Sequence, residues 1–196
     1  MADRAATVHR KTKETEITLT LDLDGSGKTE LETGVPFLEH MLDLFAKHGL
    51  FDLRVMAKGD VHIDDHHTVE DIAICLGTAL RRALGDKAGI RRYGHAVIPM
   101  DESLGQVAVD LSGRSHLEFR AEFPALRVGT FATELVHEFF WKLAMEGRMN
   151  LHVLLHYGRN THHMIESLFK ALGRALDEAT RVDPRVQGIP SSKGVL

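Results

Sequence analysis

The sequence lacks most of the features that mark secreted, membrane and nucleic-acid-binding proteins. A single cysteine, Cys75, lies in the apolar run 72–76, so we expect a buried thiol, no intrachain disulfide and a reducing, cytoplasmic environment. No apolar stretch reaches the ~18 residues of a spanning helix, and residues 1–13 are too polar for a signal peptide. A formal net charge of −4 argues against a nucleic-acid surface, because phosphate binding usually shows as a basic balance. We therefore expect no membrane or nucleic-acid partner, although a local basic pocket for a small phosphorylated ligand is compatible with this charge.

Linker-like and low-complexity segments are missing as well. With 196 residues, 43% of them hydrophobic, the chain suits one globular domain or two small halves that share a core. Histidine, by contrast, is abundant, with 13 residues of which several are clustered. Because neutral imidazole is a common metal ligand, these clusters direct attention to metal binding.

Hydrophobic periodicity and turn residues divide the chain into strands and helices. Alternating apolar and polar residues predict strands, and apolar residues at helical spacing predict helices. The predicted strands cover 15–23, 28–32, 52–58, 96–100, 106–111, 116–123 and 150–156, and the predicted helices cover 36–48, 66–84, 133–145 and 162–180.

The second half of the chain repeats the order of the first. A helix, a strand and a helix that opens on the motif His-His-x-x-Glu occur in both, and the motifs start 96 residues apart, at positions 66 and 162. A rare motif at the same place in a long unit indicates duplication. We predict a single α+β domain over residues 1–196, in which two related sheet-and-helix repeats, about 10–90 and 91–185, are related by a pseudo-twofold axis and followed by a tail at 186–196.

Each motif has the chemistry and the spacing of a metal site. His66 and Glu70 are four residues apart on a helix and His67 and Glu70 are three apart, so each pair can share a face. Because neighbouring residues diverge by about 100° around a helix, we expect each motif to be split between two metals. Imidazole and carboxylate without thiolate favour Mn, Fe, Co, Ni or Zn over Ca or Mg. Solvated histidines at helix starts are the alternative for one motif, but two motifs at matching positions favour metal ligands.

The two motifs belong to a wider set of segments that resemble one enzyme family. The segments with the motifs are residues 63–70 (IDDHHTVE) and 158–170 (GRNTHHMIESLFK), and further matches are residues 36–42, 92–94, 99–102, 112–114 and 190–196. Together they resemble imidazoleglycerol-phosphate dehydratase of histidine biosynthesis, from about residue 10 to the C-terminus.

The resemblance implies a function, a fold and an assembly. It implies a hydro-lyase that converts D-erythro-imidazole glycerol phosphate to imidazole acetol phosphate and water through a metal-bound imidazolate. It also implies a fold like domain 2 of ribosomal protein S5, two Mn ions per subunit and a homo-oligomeric 24-mer built from trimers, with the metals at subunit contacts. Other divalent transition metals stay open, because intrinsic affinity does not favour Mn.

The resemblance also implies two ligand sets, each drawn from both motifs and from a helix that precedes a motif. The first metal would bind His40, His67, His162 and Glu166. The second metal would bind His66, Glu70, His163 and a residue near position 138.

Position 138 departs from the family pattern, which commonly has histidine there. This chain has His137 followed by Glu138. Either Glu138 ligates as a carboxylate, or the helix rotates to present His137, or the site lacks one ligand. We favour Glu138.

Substrate contacts follow from the resemblance as well. Cationic and hydroxyl groups for the phosphate would be Arg92, Arg114, Lys170, Ser191, Ser192 and Lys193, the last three in the tail. Glu14 matches a family residue near the reacting carbons and is the candidate proton acceptor, and the ligands His66 and Glu166 are expected to take part in catalysis. The alternative for the cations is a solvated surface, or for Lys170 an ion pair with Glu166, four residues before it.

His152 and the type of reaction each have alternative interpretations. His152, in the strand 150–156, fits a histidine at the edge of the core better than a metal ligand. A dinuclear metallohydrolase and a non-catalytic metal-binding oligomer are the rival functions, although the second leaves the cationic tail unexplained.

Overall fold

The computed structural model describes residues 4–194 and 196 of the chain. The first half comprises β1 (Ala5–Lys11), β2 (Thr15–Asp22), β3 (Thr29–Glu32), α1 (Pro36–Gly49), β4 (Asp52–Gly59) and α2 (His66–Leu84). The second half comprises β5 (Tyr93–Met100), β6 (Ser103–Asp110), β7 (His116–Arg120), β8 (Arg127–Val128), β9 (Phe131–Ala132), α3 (Glu134–Gly147), β10 (Asn150–Tyr157) and α4 (Thr161–Thr180).

The two halves have the same topology. Their sheets have the strand orders β1-β2-β4-β3 and β5-β6-β10-β7. In each sheet the first three strands are antiparallel, and the last strand (β3 or β7) pairs in parallel with its neighbour (β4 or β10). The β8–β9 hairpin is an addition in the second half, without a counterpart among the elements described in the first. The predicted duplicated α+β fold is thus confirmed.

Local sequence explains most element boundaries. In β2, Ile17, Leu19 and Leu21 are buried while the residues between them are partly exposed, as alternation predicts. Helix α1 begins at Pro36, whose missing N–H costs nothing in the first turn. Helix α2 covers the predicted range, and Gly85 follows it with a positive φ of 55°.

Several elements differ from the predictions, and β5 and β6 each begin three residues before their predicted starts at 96 and 106. Strand β1 was missed because only Val8 is buried in it, so it shows no apolar alternation. The β8–β9 hairpin was missed because each strand has only two residues. The strand predicted over 116–123 ends at Arg120.

The core joins the halves, because helices of one half pack on helices of the other. Helix α1 packs on α4, and α2 packs on α3. Glycines make both contacts close: a Cβ at Gly173 would lie 2.4 Å from the carbonyl oxygen of Phe45, and a Cβ at Gly77 would lie 2.8 Å from that of Leu143. Each glycine lies 11 residues after the first histidine of its motif. The helix contacts therefore follow the pseudo-twofold symmetry.

Two further expectations concern the core and the surface of the chain. Cys75 is buried and unpaired, as expected, and burial raises the pKa of its thiol to about 11. Within residues 4–194 and 196, no helix combines the length and apolarity that crossing a membrane requires.

Candidate metal centres

The two motifs begin their helices in the same way. The Asp64 side chain accepts a hydrogen bond from the His66 N–H at 2.8 Å, and the Asn160 side chain accepts one from the His162 N–H at 3.0 Å. Asn160 is the N-cap of α4, whereas Asp64 lies one residue before the N-cap of α2, and both bonds satisfy N–H groups that have no partner inside the helix. Both helices therefore start at a defined residue, which fixes the directions of the histidines that follow.

The first cluster, cluster 1, consists of His40 from α1 with His162 and Glu166 from α4. One ligand atom from each lies within 4.8 Å of the others. Nε2 of His162 is 3.1 Å and Nε2 of His40 is 3.4 Å from Oε2 of Glu166. The other oxygen of this buried carboxylate, Oε1, is 2.6 Å from Nζ of Lys170. Lys170 thus binds one carboxylate oxygen and leaves the other facing the histidines.

The second cluster, cluster 2, consists of His66 and Glu70 from α2 with Glu138 from α3, again within 4.8 Å. Nε2 of His66 is 3.8 Å from Oε2 of Glu70. Nζ of Lys142 is 2.7 Å from Oε1 of Glu70 and 3.5 Å from Oε1 of Glu138. Cluster 2 therefore has the same plan as cluster 1, with one more carboxylate and a lysine from a different helix.

Helix α3 brings Glu138, and not His137, next to His66 and Glu70. Glu138 lies in cluster 2, whereas the exposed His137 packs edge-on against the Phe119 ring, with 5.1 Å between centroids. The helix is therefore not rotated to present His137. Of the two neighbouring residues, Glu138 is the one whose side chain lies with His66 and Glu70.

The second histidine of each motif points away from its own cluster. Nδ1 of His67 lies 3.0 Å from Oδ2 of Asp60, and Nδ1 of His163 lies 2.8 Å from Oε2 of Glu102. The neighbouring rings are separated as helix geometry requires, with centroids 6.0 Å apart in the first motif and 6.2 Å in the second. Each cluster thus contains three of the four predicted ligands, and the fourth belongs to neither cluster of this chain.

Hydrogen bonds set the charges of these groups. Burial acts to raise the pKa of Glu166, but the hydrogen bond and charge of Lys170, with His40, outweigh it and lower that pKa. The hydrogen bond from Lys142 lowers the pKa of Glu70. Both carboxylates are therefore ionised near neutral pH, as metal ligands must be.

The opposite shift affects the two histidines outside the clusters. The hydrogen bond to Asp60 raises the pKa of His67, and the hydrogen bond to Glu102 raises the pKa of His163. The bond from His163 lowers the pKa of Glu102 far below its usual range. In each pair the carboxylate therefore favours the protonated form of the imidazole.

The predicted phosphate contacts are divided between two places. Arg92 pairs with Asp110 at 2.7 Å, donates to the Pro190 carbonyl oxygen at 2.9 Å, and donates its backbone N–H to Ala179, near the end of α4. Arg92 therefore anchors the start of the C-terminal tail. Lys170 does not join this group, because it binds Glu166 in cluster 1.

The rest of the tail lies nearby. The backbone of Leu196 is so close to Gly113 that a Cβ there would lie 2.6 Å from it, which places the tail beside the exposed Arg114. Ser191, Ser192 and Lys193 are partly or fully exposed, and the Lys193 N–H donates to the Ser191 hydroxyl at 3.2 Å. The structure thus brings Arg92, Arg114 and the tail to one end of the second half.

Glu14 and His152 have contrasting positions. Glu14 is about half-exposed, and its Oε1 is 3.8 Å from Nε2 of His67. His152 is exposed, with its ring 5.9 Å from that of His116 and outside both clusters. The expectation of a histidine at the edge of the core was therefore wrong, because alternation in β10 places His152 on the open face of the sheet.

Sequence reasoning missed three charged residues of these groups: Asp60, Glu102 and Lys142. Lys142 follows Glu138 by four residues, which is a signal for a helical ion pair. Glu102 lies in the matched segment 99–102. Asp60 gives no local signal, because only the fold brings it to His67.

Comparison with known proteins identifies the family. A family model described as imidazoleglycerol-phosphate dehydratase matches residues 33–176. The chain belongs to this family. An imidazoleglycerol-phosphate dehydratase of Geobacillus thermodenitrificans is 72% identical over 193 residues, covering 98% of this chain and 99% of that one. The Bacillus subtilis imidazoleglycerol-phosphate dehydratase is 70% identical over 187 residues, 95% of this chain and 96% of that one.

Solved structures of imidazoleglycerol-phosphate dehydratase agree with the fold. The Staphylococcus aureus enzyme superposes with a TM-score of 0.83 at 41% identity, covering 91% of this chain and 99% of that one. The Pyrococcus furiosus enzyme has the same TM-score at 38% identity, covering 96% of this chain and all of that one. The chain is thus an imidazoleglycerol-phosphate dehydratase family enzyme, a hydro-lyase of histidine biosynthesis, and the family resemblance read from the sequence is confirmed.

Proposed function

We propose that the chain dehydrates D-erythro-imidazole glycerol phosphate to imidazole acetol phosphate at dinuclear metal sites built between copies of the chain. One observation carries this proposal. Each of the two predicted ligand sets has three members within 4.8 Å in one chain, while its fourth member, His67 or His163, lies outside both clusters.

The donors in each cluster suit a transition metal. Cluster 1 offers two imidazoles and one carboxylate, and cluster 2 offers one imidazole and two carboxylates. Nitrogen and oxygen donors without thiolate fit Mn, Fe, Co, Ni or Zn. Because the family resemblance implies Mn, we propose two Mn(II) ions per chain.

The missing ligands are proposed to come from neighbouring chains. His67 of one chain would complete cluster 1 of another, and His163 would complete cluster 2 of another. Each of these histidines uses Nδ1 for a carboxylate and so has Nε2 available for a metal. The proposed assembly is a 24-mer built from trimers, with every metal at a contact between subunits.

The distance from Arg92, a predicted phosphate-binding residue, to cluster 1 supports an active site that is shared between chains. Ala179, which bonds to Arg92, lies 13 residues beyond Glu166 on α4, and at 1.5 Å per residue the separation is roughly 20 Å. The substrate has only three carbons between its imidazole ring and its phosphate. Because the Arg92 guanidinium is also held by Asp110 and the Pro190 carbonyl, we propose that it serves a site other than cluster 1 of its own chain. We propose that Arg92, Arg114 and the 186–196 tail, through Ser191, Ser192 and Lys193, bind phosphate at a site completed by other chains.

Each group of the chain has a defined part in the proposed reaction. The hydroxyl next to the ring leaves as water, and the neighbouring carbon loses its proton to give an enol, which becomes the ketone. When bound, the metals would supply Lewis-acid stabilisation of negative charge on the imidazole ring. Glu14 lies beside Nε2 of His67, the nitrogen that would face a metal, and is our candidate proton acceptor. Lys170 and Lys142 hold Glu166 and Glu70 ionised and oriented.

Assaying the purified, Mn-loaded chain with imidazole glycerol phosphate tests the function. We expect saturable formation of the ketone, with two Mn per chain. Phosphate release without ketone would indicate the metallohydrolase, and Mn binding without turnover would indicate a metal-binding oligomer. Either result would overturn the proposal.

Glu14→Gln tests the proton acceptor. We expect Mn content to stay at the wild-type level and turnover to fall by about 10²- to 10⁴-fold, the usual worth of a positioned general base. Glu16→Gln is the matched control, because Glu16 is exposed and pairs with Lys11, away from His67. Near-normal turnover of Glu14→Gln would remove Glu14 from the mechanism.

A further inference from the structure

His67 and His163, the second histidines of the two motifs, lie outside both clusters, and each contacts a carboxylate through Nδ1. The Asp60–His67 distance is 3.0 Å and the Glu102–His163 distance is 2.8 Å. The four side chains are all partly buried, with exposed fractions from 13% for Asp60 to 34% for His67. The same contact therefore occurs in both halves of the duplicated fold.

An ionised carboxylate only accepts hydrogen bonds, so Nδ1 of each histidine must carry the proton. The lone pair of a neutral ring then lies on Nε2, on the opposite side from the carboxylate. Metal-binding histidines commonly have such a carboxylate partner, which fixes both the tautomer and the ring direction. The contacts with Asp60 and Glu102 thus prepare His67 and His163 to bind metal through Nε2.

The two carboxylates come from different places in the repeat. Glu102 immediately precedes β6, and its counterpart before β2 is Glu14. Glu14 does not bind Nδ1 of His67; it lies 3.8 Å from Nε2. Asp60, the first residue after β4, binds Nδ1 instead.

In the second half, the residue that corresponds to Asp60 does not bind the histidine of the motif. Gly59 and Gly158 are counterparts, because a Cβ at Gly59 would meet Thr15 and Thr68, and one at Gly158 would meet the matching Ser103 and Met164. The residue after Gly158 is Arg159. Its backbone N–H donates to Glu102 at 3.1 Å, and its side chain makes no hydrogen bond to His163 among the described residues.

We propose that Asp60 and Glu102 are positioning residues that present Nε2 of His67 and His163 to metals bound by neighbouring chains. Asp60 has taken over in the first half the task that Glu102 performs in the second, and this releases Glu14 to face the substrate. The proposal rests on the proposed function. The other oxygen of Asp60, Oδ1, is buried and has no hydrogen-bond partner within residues 4–194 and 196, so His67 is the side chain that this carboxylate binds in the described residues.

Asp60→Asn is the sharpest test, because the amide keeps the size of the side chain but no longer requires the proton on Nδ1. We expect the Mn affinity of one of the two sites to fall by about 10- to 100-fold, the usual effect of losing such a partner. Turnover should fall at limiting Mn and recover when Mn is raised. Mn binding is measured by electron paramagnetic resonance on metal-stripped protein, and the tautomer of His67 by ¹⁵N shifts of labelled imidazoles.

Glu102→Gln should weaken the other site, and Asp101→Asn is its matched control. Asp101 is exposed and 3.9 Å from Nδ1 of His163, beyond hydrogen-bond distance. Glu102 also accepts hydrogen bonds from the backbone N–H groups of Arg159 and Asn160, so its loss affects the fold as well. The thermal stability of the metal-free Glu102→Gln chain is therefore measured beside that of the wild type, and Mn affinities are compared at a temperature where both are folded.

The outcomes separate this inference from the proposed function. If the wild-type chain neither binds Mn nor forms the ketone, the proposed function fails. If the wild type does both, and Asp60→Asn has unchanged Mn affinity and an unchanged imidazole spectrum, the positioning role alone is wrong. Equal losses in Asp101→Asn and Glu102→Gln would overturn the role of Glu102.

Discussion

His40 and Glu138 occupy the same position in the duplicated fold. Each is the fifth residue of its helix, α1 or α3, and each faces the first histidine and the glutamate of a motif on another helix. This position thus carries an imidazole in the first half and a carboxylate in the second half. This difference gives cluster 2 an additional negative charge, and Lys142 lies where it offsets that charge.

Removing Glu138 should empty one metal site. We expect Glu138→Ala to reduce bound Mn from two toward one per chain, because cluster 2 is left with His66 and Glu70. His137→Ala should keep two, since His137 contacts Phe119 instead. Metal analysis after gel filtration measures both. Loss of Mn in His137→Ala, with full content in Glu138→Ala, would mean that the ligand was assigned wrongly.

Removing Lys142 should destabilise the metal-free chain. In Lys142→Met the carboxylates of Glu70 and Glu138 would face each other without a cation, and we expect the free energy of unfolding to fall by about 1 kcal/mol. Mn should restore most of it. Thermal unfolding with chelator and with Mn measures the effect. Lys11→Met, which breaks a fully exposed pair with Glu16, should change stability less and without dependence on Mn.

Mn binding should weaken on acidification from a pH above 6.5. The hydrogen bonds to Asp60 and Glu102 raise the pKa of His67 and His163, and a protonated histidine must lose a proton to bind metal. The metal-free chain should show the opposite sign. Its protonated His67–Asp60 pair stabilises the fold at low pH, and this contribution is lost as pH rises through the raised pKa. Mn titrations of the chain and unfolding of the chelator-treated chain, both from pH 5.5 to 8.5, measure the two pH dependences. An Mn affinity that stays unchanged down to pH 6 would contradict the prediction.

Alanine at the helix-contact glycines should destabilise the fold. Alanine normally favours a helix over glycine by about 1 kcal/mol, but the added methyl of Gly173→Ala would meet the Phe45 carbonyl. We expect a net loss of about 1–3 kcal/mol from overpacking. Arg174→Ala, at the next and half-exposed position, is the control. Denaturant unfolding decides, and a stabilised Gly173→Ala would show that α1 and α4 are farther apart than described.

Local patterns predicted the helices and the divergence of the paired histidines, because both depend on helix geometry alone. Strand β1 was not predictable, since an edge strand with only Val8 buried has no apolar alternation. His152 was misplaced although its apolar neighbours Leu151 and Val153 already indicate that it lies on the opposite, open face of the strand. Asp60 and Lys142 depend on packing between distant elements, which a linear sequence does not display.

The single-residue step from His66 to His67 also has a genetic consequence. Under the proposed arrangement, one imidazole serves the chain that carries it and the next serves a neighbour. Damage at His67 would then appear in another chain's chemistry, with one defective site on a neighbour for each defective subunit. An allele defective at His40 and one defective at His67 should accordingly complement each other, because a mixed assembly forms some intact sites, behaviour that a self-contained active site would not produce.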